Sequence, residues 1–86
     1  MPFEFDPVKS AANKAKHGID FVEAQAIWDD ANRLEVPART SGEPRLATFG
    51  TWRGDVWVAI WTPRGHAVRL ISVRRASAAE RRLYEG

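Results

Sequence analysis

Six arginines fall within the last 24 residues of this 86-residue chain: Arg64, Arg69, Arg74, Arg75, Arg81 and Arg82. They face two acids there, Glu80 and Glu85, a net of +4. The preceding 62 residues carry seven Lys/Arg and nine Asp/Glu, a net of −2, so the overall +2 conceals a strong polarity. None of the late basic residues is Lys. Arginine stays charged at any working pH, and its planar fork suits bidentate contact with phosphate. A small domain with such a cluster is expected to handle a polyanion, RNA or DNA. The plain alternative is a solvated strand edge and helix face.

Cleaving RNA without a metal makes definite demands. The 2′-hydroxyl must lose a proton, the leaving oxygen must gain one, and charge on the phosphate must be stabilised. Arg64, Arg69 and Arg74 fit the last task. Glu80, Tyr84 and His17 are the candidates for proton transfer. Lys16, Arg45, Arg75 and Arg81 are candidates for holding the RNA. Each has a structural alternative. Glu80 stands three residues after Ser77 and caps its own helix. Tyr84 can dock that helix, and Arg81 can be merely solvated. His17 ends a helix, where its charge complements the dipole. Gly42-Glu43-Pro44-Arg45 reads as a turn entering a strand, with a Glu43–Arg45 pair. His66 reads as an exposed turn residue.

The elements that would position these groups are legible in outline. Phe3-Glu4-Phe5 suggests a short strand. Asp6 caps a helix with Pro7 at its first position, and Gly18 closes it in the left-handed region. Val8, Ala11, Ala12 and Ala15 share its apolar face, with Lys9, Asn13 and Lys16 off that stripe. Asp20 and Glu23 form a capping-box pair for a second helix with Phe21, Ala24, Ile27 and Trp28 as its stripe. Leu34 to Arg39 is a weak edge strand interrupted by Pro37. Thr40-Ser41-Gly42-Glu43-Pro44 is a turn. Further strands are expected at Arg45–Trp52, Val56–Thr62 and Ala67–Val73, joined by the Arg53-Gly54-Asp55 and Pro63-Arg64-Gly65-His66 turns. In the last helix Ala76, Ala79 and Leu83 share an apolar stripe, beside a face of Ser77, Glu80, Arg81 and Tyr84. The expected fold is α+β: two N-terminal helices, an antiparallel sheet of three or four strands, and a C-terminal helix, in one domain over residues 1–86. Val56–Thr62 is apolar on both sides, with Trp57 and Trp61 on one and Val56, Val58 and Ile60 on the other. Both sheet faces therefore need cover, and a partner or self-interface is expected to supply part of it.

Composition excludes several classes. There is no cysteine, hence neither a disulfide framework nor a thiolate metal site. Two histidines give no convincing zinc site, and no cofactor is expected. No apolar run of about 18 residues exists. The first residues lack the pattern of a signal peptide, so the cytoplasm is the expected location.

Taken in order, the motifs resemble a known family. They are Phe5-Asp6-Pro7-x-Lys9, Asn13-x-x-Lys16-His17-Gly18-Ile19-x-Phe21-x-x-Ala24, Gly42-Glu43-x-Arg45, Thr62-x-Arg64, Arg69-x-Ile71-Ser72-x-Arg74-x-Ala76 and Glu80-Arg81-x-x-Tyr84. The set resembles the BrnT toxins of type II toxin–antitoxin systems, from about Phe3 to Tyr84. It departs at Phe5, where Trp is expected, and in the Trp-rich strand. The resemblance implies a compact fold akin to RelE-type toxins and a metal-independent ribonuclease that blocks translation and growth. It also implies a BrnA-like antitoxin that covers the toxic surface in a hetero-oligomer and makes the only contact with DNA. The polar positions it carries over are Lys16, His17, Glu43, Arg45, Arg64, Arg69, Arg74, Glu80, Arg81 and Tyr84. The reading from a different class is a non-catalytic binding subunit, a co-repressor or an inactive toxin that only binds its antitoxin.

Overall fold

The computed structural model describes residues 2–38 and 42–86. The expected strand end at Arg39 and turn residues Thr40 and Ser41 lie outside the described residues. The elements run β1 (Phe3–Glu4), α1 (Pro7–His17), a 3₁₀ helix (Glu23–Asp29), β2 (Leu34–Pro37), β3 (Leu46–Trp52), β4 (Asp55–Arg64), β5 (Ala67–Arg75) and α2 (Ala78–Glu85).

The helix ends form as their residues dictate. Val8 N donates to Asp6 Oδ1 at 2.9 Å, and Gly18 adopts φ 83° as its N–H returns to Lys14 O. Asp20 and Glu23 close a reciprocal box: Glu23 N donates to Asp20 Oδ1 at 2.7 Å and Asp20 N to Glu23 Oε1 at 3.0 Å. The expected second α-helix does not form beyond this box. In its place a 3₁₀ helix buries Ala24 and Ile27, three residues apart, the repeat of a 3₁₀ turn. Ile27 lies so close to Gly50 of β3 that a Cβ there would sit 2.8 Å from its Cγ2 and 2.9 Å from its carbonyl oxygen.

The expected antiparallel sheet of three or four strands is also corrected. Five strands form one mixed sheet in the order β1-β5-β4-β3-β2. β1 runs parallel to β5, with Phe3 opposite Val68 and Glu4 opposite Arg69. The short strand expected at Phe3-Glu4-Phe5 forms over Phe3–Glu4, and its place comes from Phe3 packing on the core behind it. The other pairings are antiparallel. Arg53 and Gly54 take φ 49° and 82°, the two positive values of a type I′ hairpin turn. β2, with Pro37, is an edge strand as expected.

β4 buries both of its faces. Trp57, Ala59 and Trp61 meet Ile19, Phe21, Ala24 and Ile27 in the main core. Edge-to-face ring contacts, Phe5–Phe21 at 5.7 Å and Trp28–Trp61 at 6.0 Å, fix their geometry. On the opposite face Val58, Ala47 and Phe49 form a smaller cluster beneath Ala76 and Tyr84. That second face is only partly covered. Nor does α2 use its expected stripe, for Leu83 is 56% exposed and Ala79 is exposed. The helix turns Glu80 and Tyr84 inward because both find polar partners there, Glu80 at Arg74 of β5 and Tyr84 at Asp30 just after the 3₁₀ helix.

α1 inverts the expected face. Val8 is 76% exposed, and the residues it buries are Ser10 and Asn13. Ser10 Oγ accepts from Phe21 N at 2.9 Å. Asn13 Nδ2 donates to Ile19 O at 2.8 Å and Val73 O at 2.9 Å, and Val73 N donates to Asn13 Oδ1 at 3.2 Å. β1 stops at Glu4, and further along β5 the side-chain amide of Asn13 pairs with Val73 as another strand would. Three backbone groups depend on this one side chain, and an unsatisfied buried group costs about 1–3 kcal/mol. Asn13→Ala is therefore expected to destabilise the fold by about 3 kcal/mol or more, read from the midpoint of urea denaturation. A loss below about 1 kcal/mol would mean that other groups satisfy the β5 edge.

Candidate functional site: an arginine-rimmed cleft on the sheet

The register of β5 decides which arginines meet. Ile60 pairs with Ser72 and Trp61 with Leu70, leaving Ile71 as an extra residue in a bulge. Before it, Val68 and Leu70 face the main core; after it, Val73 does. Arg69 and Arg74 are five residues apart, a spacing that puts side chains on opposite faces of a regular strand. The bulge brings them to the same face. Arg64 joins them by alternation from Val58 and Ile60, and Arg45 by alternation from Ala47 and Phe49.

On this face lies a cleft of about 360 Å³. Val36, Phe49, Val58 and Ile60 line it together with Arg45, Arg74 and Glu80. Arg74 meets Glu80 as a fork, Nη1 to Oε1 at 2.7 Å and Nη2 to Oε2 at 2.9 Å. Ser77 N donates to the same carboxylate at 2.8 Å and Glu80 N donates to Ser77 Oγ at 3.2 Å, completing the capping box. These contacts, the Arg74 hydrogen bonds foremost, hold the Glu80 carboxyl down at about 2 against the opposing effect of burial, and raise the Arg74 guanidinium. Glu43 lies 3.9 Å from Arg45 Nη2 and 3.8 Å from Arg64 Nη2, so the Glu43–Arg45 pair expected from the sequence is present. Arg69 Nη1 is 3.4 Å from Glu4 Oε1. Arg45 Nε is buried and has no hydrogen-bond partner among the described residues.

Other sequence candidates lie elsewhere. Arg75 follows Arg74 on the opposite face, its guanidinium 5.0 Å from the centre of the Trp57 ring. It pairs with Asp55 at 2.6 Å, and Arg81 lies 3.8 Å from the same carboxylate. Lys16 and His17 end α1, which is fastened to the β5 edge, and among the described residues neither side chain bonds to the arginines. The Tyr84 ring covers part of the Ala47–Phe49–Val58 cluster, and its hydroxyl donates to Asp30 Oδ2. Thr51 N and Oγ1 donate to that same oxygen at 2.9 and 3.0 Å. The Tyr84 bond, followed by those from Asn32 N and Thr51, lowers Asp30 to about 2, and the carboxylate in turn raises the Tyr84 phenol. Sequence reasoning missed Asp30 and Glu4, whose partners lie 54 and 65 residues away and leave no local signal.

Among the described residues no three His, Cys, Asp or Glu side chains gather as a metal site, and no helix is long and apolar enough to cross a membrane. No curated protein matches the chain. Residues 5–80 match the model of a family described as the ribonuclease toxin, BrnT, of type II toxin–antitoxin systems. The chain belongs to the BrnT family. BrnT is a ribonuclease toxin family, and a type II system implies an antitoxin partner. The BrnT match takes in the whole cleft from Val36 to Glu80 and stops short of Tyr84.

Glu80 and Asp30 both have folded values near 2, below their ordinary 4.5 and 3.8. A depressed carboxyl stabilises the fold fully above its unfolded value and loses that contribution as pH falls toward the folded one. Unfolding free energy is thus expected to hold level down to about pH 5 and decline from there toward pH 2. Glu80→Gln should flatten part of that decline in a denaturation series. An unchanged slope would show that the Arg74 pair does not hold in solution.

Proposed function

We propose that this chain is an endoribonuclease that cleaves single-stranded or translating RNA without a metal, and so arrests translation and growth. The observation that carries the reading is the cleft, where Arg45 and Arg74 overlook an apolar floor and Arg64 stands beside them through Glu43. Guanidinium groups held beside apolar side chains stabilise developing phosphate charge more strongly than in open water. The 2′-oxygen attacks phosphorus, the bond to the 5′-oxygen breaks, and the products are a 2′,3′-cyclic phosphate and a 5′-hydroxyl. Arg74, Arg64 and Arg69 neutralise the phosphate. Glu80 orients Arg74. With Glu80 held near 2 and the Tyr84 phenol raised, neither exchanges a proton readily near neutrality. The reading therefore rests on charge stabilisation and orientation, with protons passing through solvent. His17 stands at the end of α1, outside the cleft, and takes no part in this reading.

The partner in this reading is a BrnA-like antitoxin in a hetero-oligomer, carrying any DNA contact itself. An apolar floor with a basic rim, left open by α2, suits a segment that is both apolar and acidic. The rival reading, a subunit that binds its antitoxin without catalysis, draws on one observation: the Arg74 fork is already filled by Glu80.

Incubation of purified wild type and Arg74→Ala with total RNA, with and without EDTA, separates the two. Wild type is expected to cleave in EDTA, and Arg74→Ala to lose about 100-fold or more in rate while still binding the antitoxin. Cleavage restored only by magnesium would end the metal-independent reading. Loss of antitoxin binding without any cleavage by wild type would favour the binding subunit.

A further inference from the structure

The arginines of the cleft and those at the β3–β4 hairpin are balanced differently. On the cleft face Arg45, Arg64, Arg69 and Arg74 are met by Glu43, Glu4 and Glu80. At the hairpin end Arg75 and Arg81 share the single carboxylate of Asp55, and Arg53 has no hydrogen bond or ion pair among the described residues. Glu23 feels the Arg53 charge, but its carboxylate is held by Lys14 Nζ at 2.8 Å.

Here the guanidinium groups lie over indoles. Arg53 is 4.6 Å from the centre of the Trp52 ring and Arg75 is 5.0 Å from that of Trp57. The two indoles meet edge-to-face at 5.7 Å, and Trp57 Nε1 donates to Trp52 O at 3.1 Å. The platform is therefore fixed from below. A guanidinium seated over a ring has a second planar face turned outward, on which a nucleobase can stack, and N–H donors around its edge for phosphate. Among the described residues none takes up an Arg53 donor. Arg75 spends one nitrogen on Asp55, and its side chain is 65% exposed.

We propose that the Trp52–Arg53 and Trp57–Arg75 stacks form a second RNA subsite, which holds single-stranded RNA flanking the segment in the cleft. The proposal rests on the ribonuclease reading above. Arg74 and Arg75 are consecutive and face opposite sides of β5, so a strand leaving the cleft at Arg74 meets the corner as it rounds the end of that strand. Stacking on an indole–guanidinium pair takes any base, so the subsite adds affinity without sequence preference.

The probe is a fluorescent 2′-O-methyl oligoribonucleotide of about ten residues, which binds as RNA but lacks the attacking hydroxyl. Anisotropy is measured across a salt series for wild type, Arg53→Asn, Arg75→Gln and the double variant. Asn tolerates the positive φ at position 53, where Ala would strain the turn. The double variant is expected to bind about tenfold more weakly. Its salt slope should be shallower by about 1.4, as two phosphate contacts require. Arg75→Lys keeps the charge without the planar stack, and should recover the slope but not the affinity; this variant also guards against a folding defect in Arg75→Gln. Wild-type affinity and slope in the double variant overturn the proposal. So does loss of antitoxin binding with RNA binding intact, which would make the corner a protein-docking surface. Arg45→Gln, run in parallel, separates the two readings. Weakening there alone removes the corner and leaves the cleft, whereas a wild type that neither binds nor cleaves RNA removes both.

Discussion

The extra residue at Ile71 sets the phase of β5, and with it the surroundings of every charged group beyond it. In a regular strand continuing from Val68 and Leu70, Arg74 would point into the core of Trp57, Ala59 and Val73, and Val73 would point outward. An unpaired buried guanidinium is costly enough that such a register would not survive. One inserted residue removes the conflict: the apolar Val73 goes inward and Arg74 goes to the open face, five residues from Arg69 and on its side. The same shift turns Arg75 to the Trp57 side. The cleft and the hairpin corner are two results of one irregularity.

The helical layer depends on hydrogen bonding where its hydrophobic pattern points elsewhere. α1 presents Val8 to solvent and spends its inner face on Ser10 and Asn13. The strand edge it meets carries backbone groups that β1 is too short to pair, and apolar side chains could not satisfy them. Gly50 complements this on the other side, where its missing side chain lets the Ile27 turn approach β3.

Local chemistry was legible in the sequence and long-range pairing was not. The caps at Asp6, Gly18, Asp20 and Ser77 form as read, because each joins residues two to four apart. The hairpin turn at Arg53-Gly54 and the edge position of β2 were legible for similar reasons. The parallel pairing of β1 was not, since Phe3 and Glu4 meet residues 65 positions later. The apolar spacing of Val8, Ala11, Ala12 and Ala15 indicated a helix correctly but named the wrong inner face, because the contest was settled by Val73, sixty residues away. For the site, the arginine cluster was visible as a charge. Its division between two faces was not, because a bulge at Ile71 has no marker in residue type. The Ser77–Glu80 box was seen, while the Arg74 fork closing on the same carboxylate required the fold.

That shared carboxylate ties events together in time. Glu80 both starts α2 and fills the fork of Arg74, and Tyr84 fastens the same helix to Asp30. During synthesis the sheet from β1 to β5 emerges first, and its second face stays bare until α2 arrives. Arg74 then lacks its Glu80 partner, and the cleft has no wall on that side. One late helix supplies that wall, so the nascent chain acquires the arrangement that holds Arg74 only once α2 has followed β5.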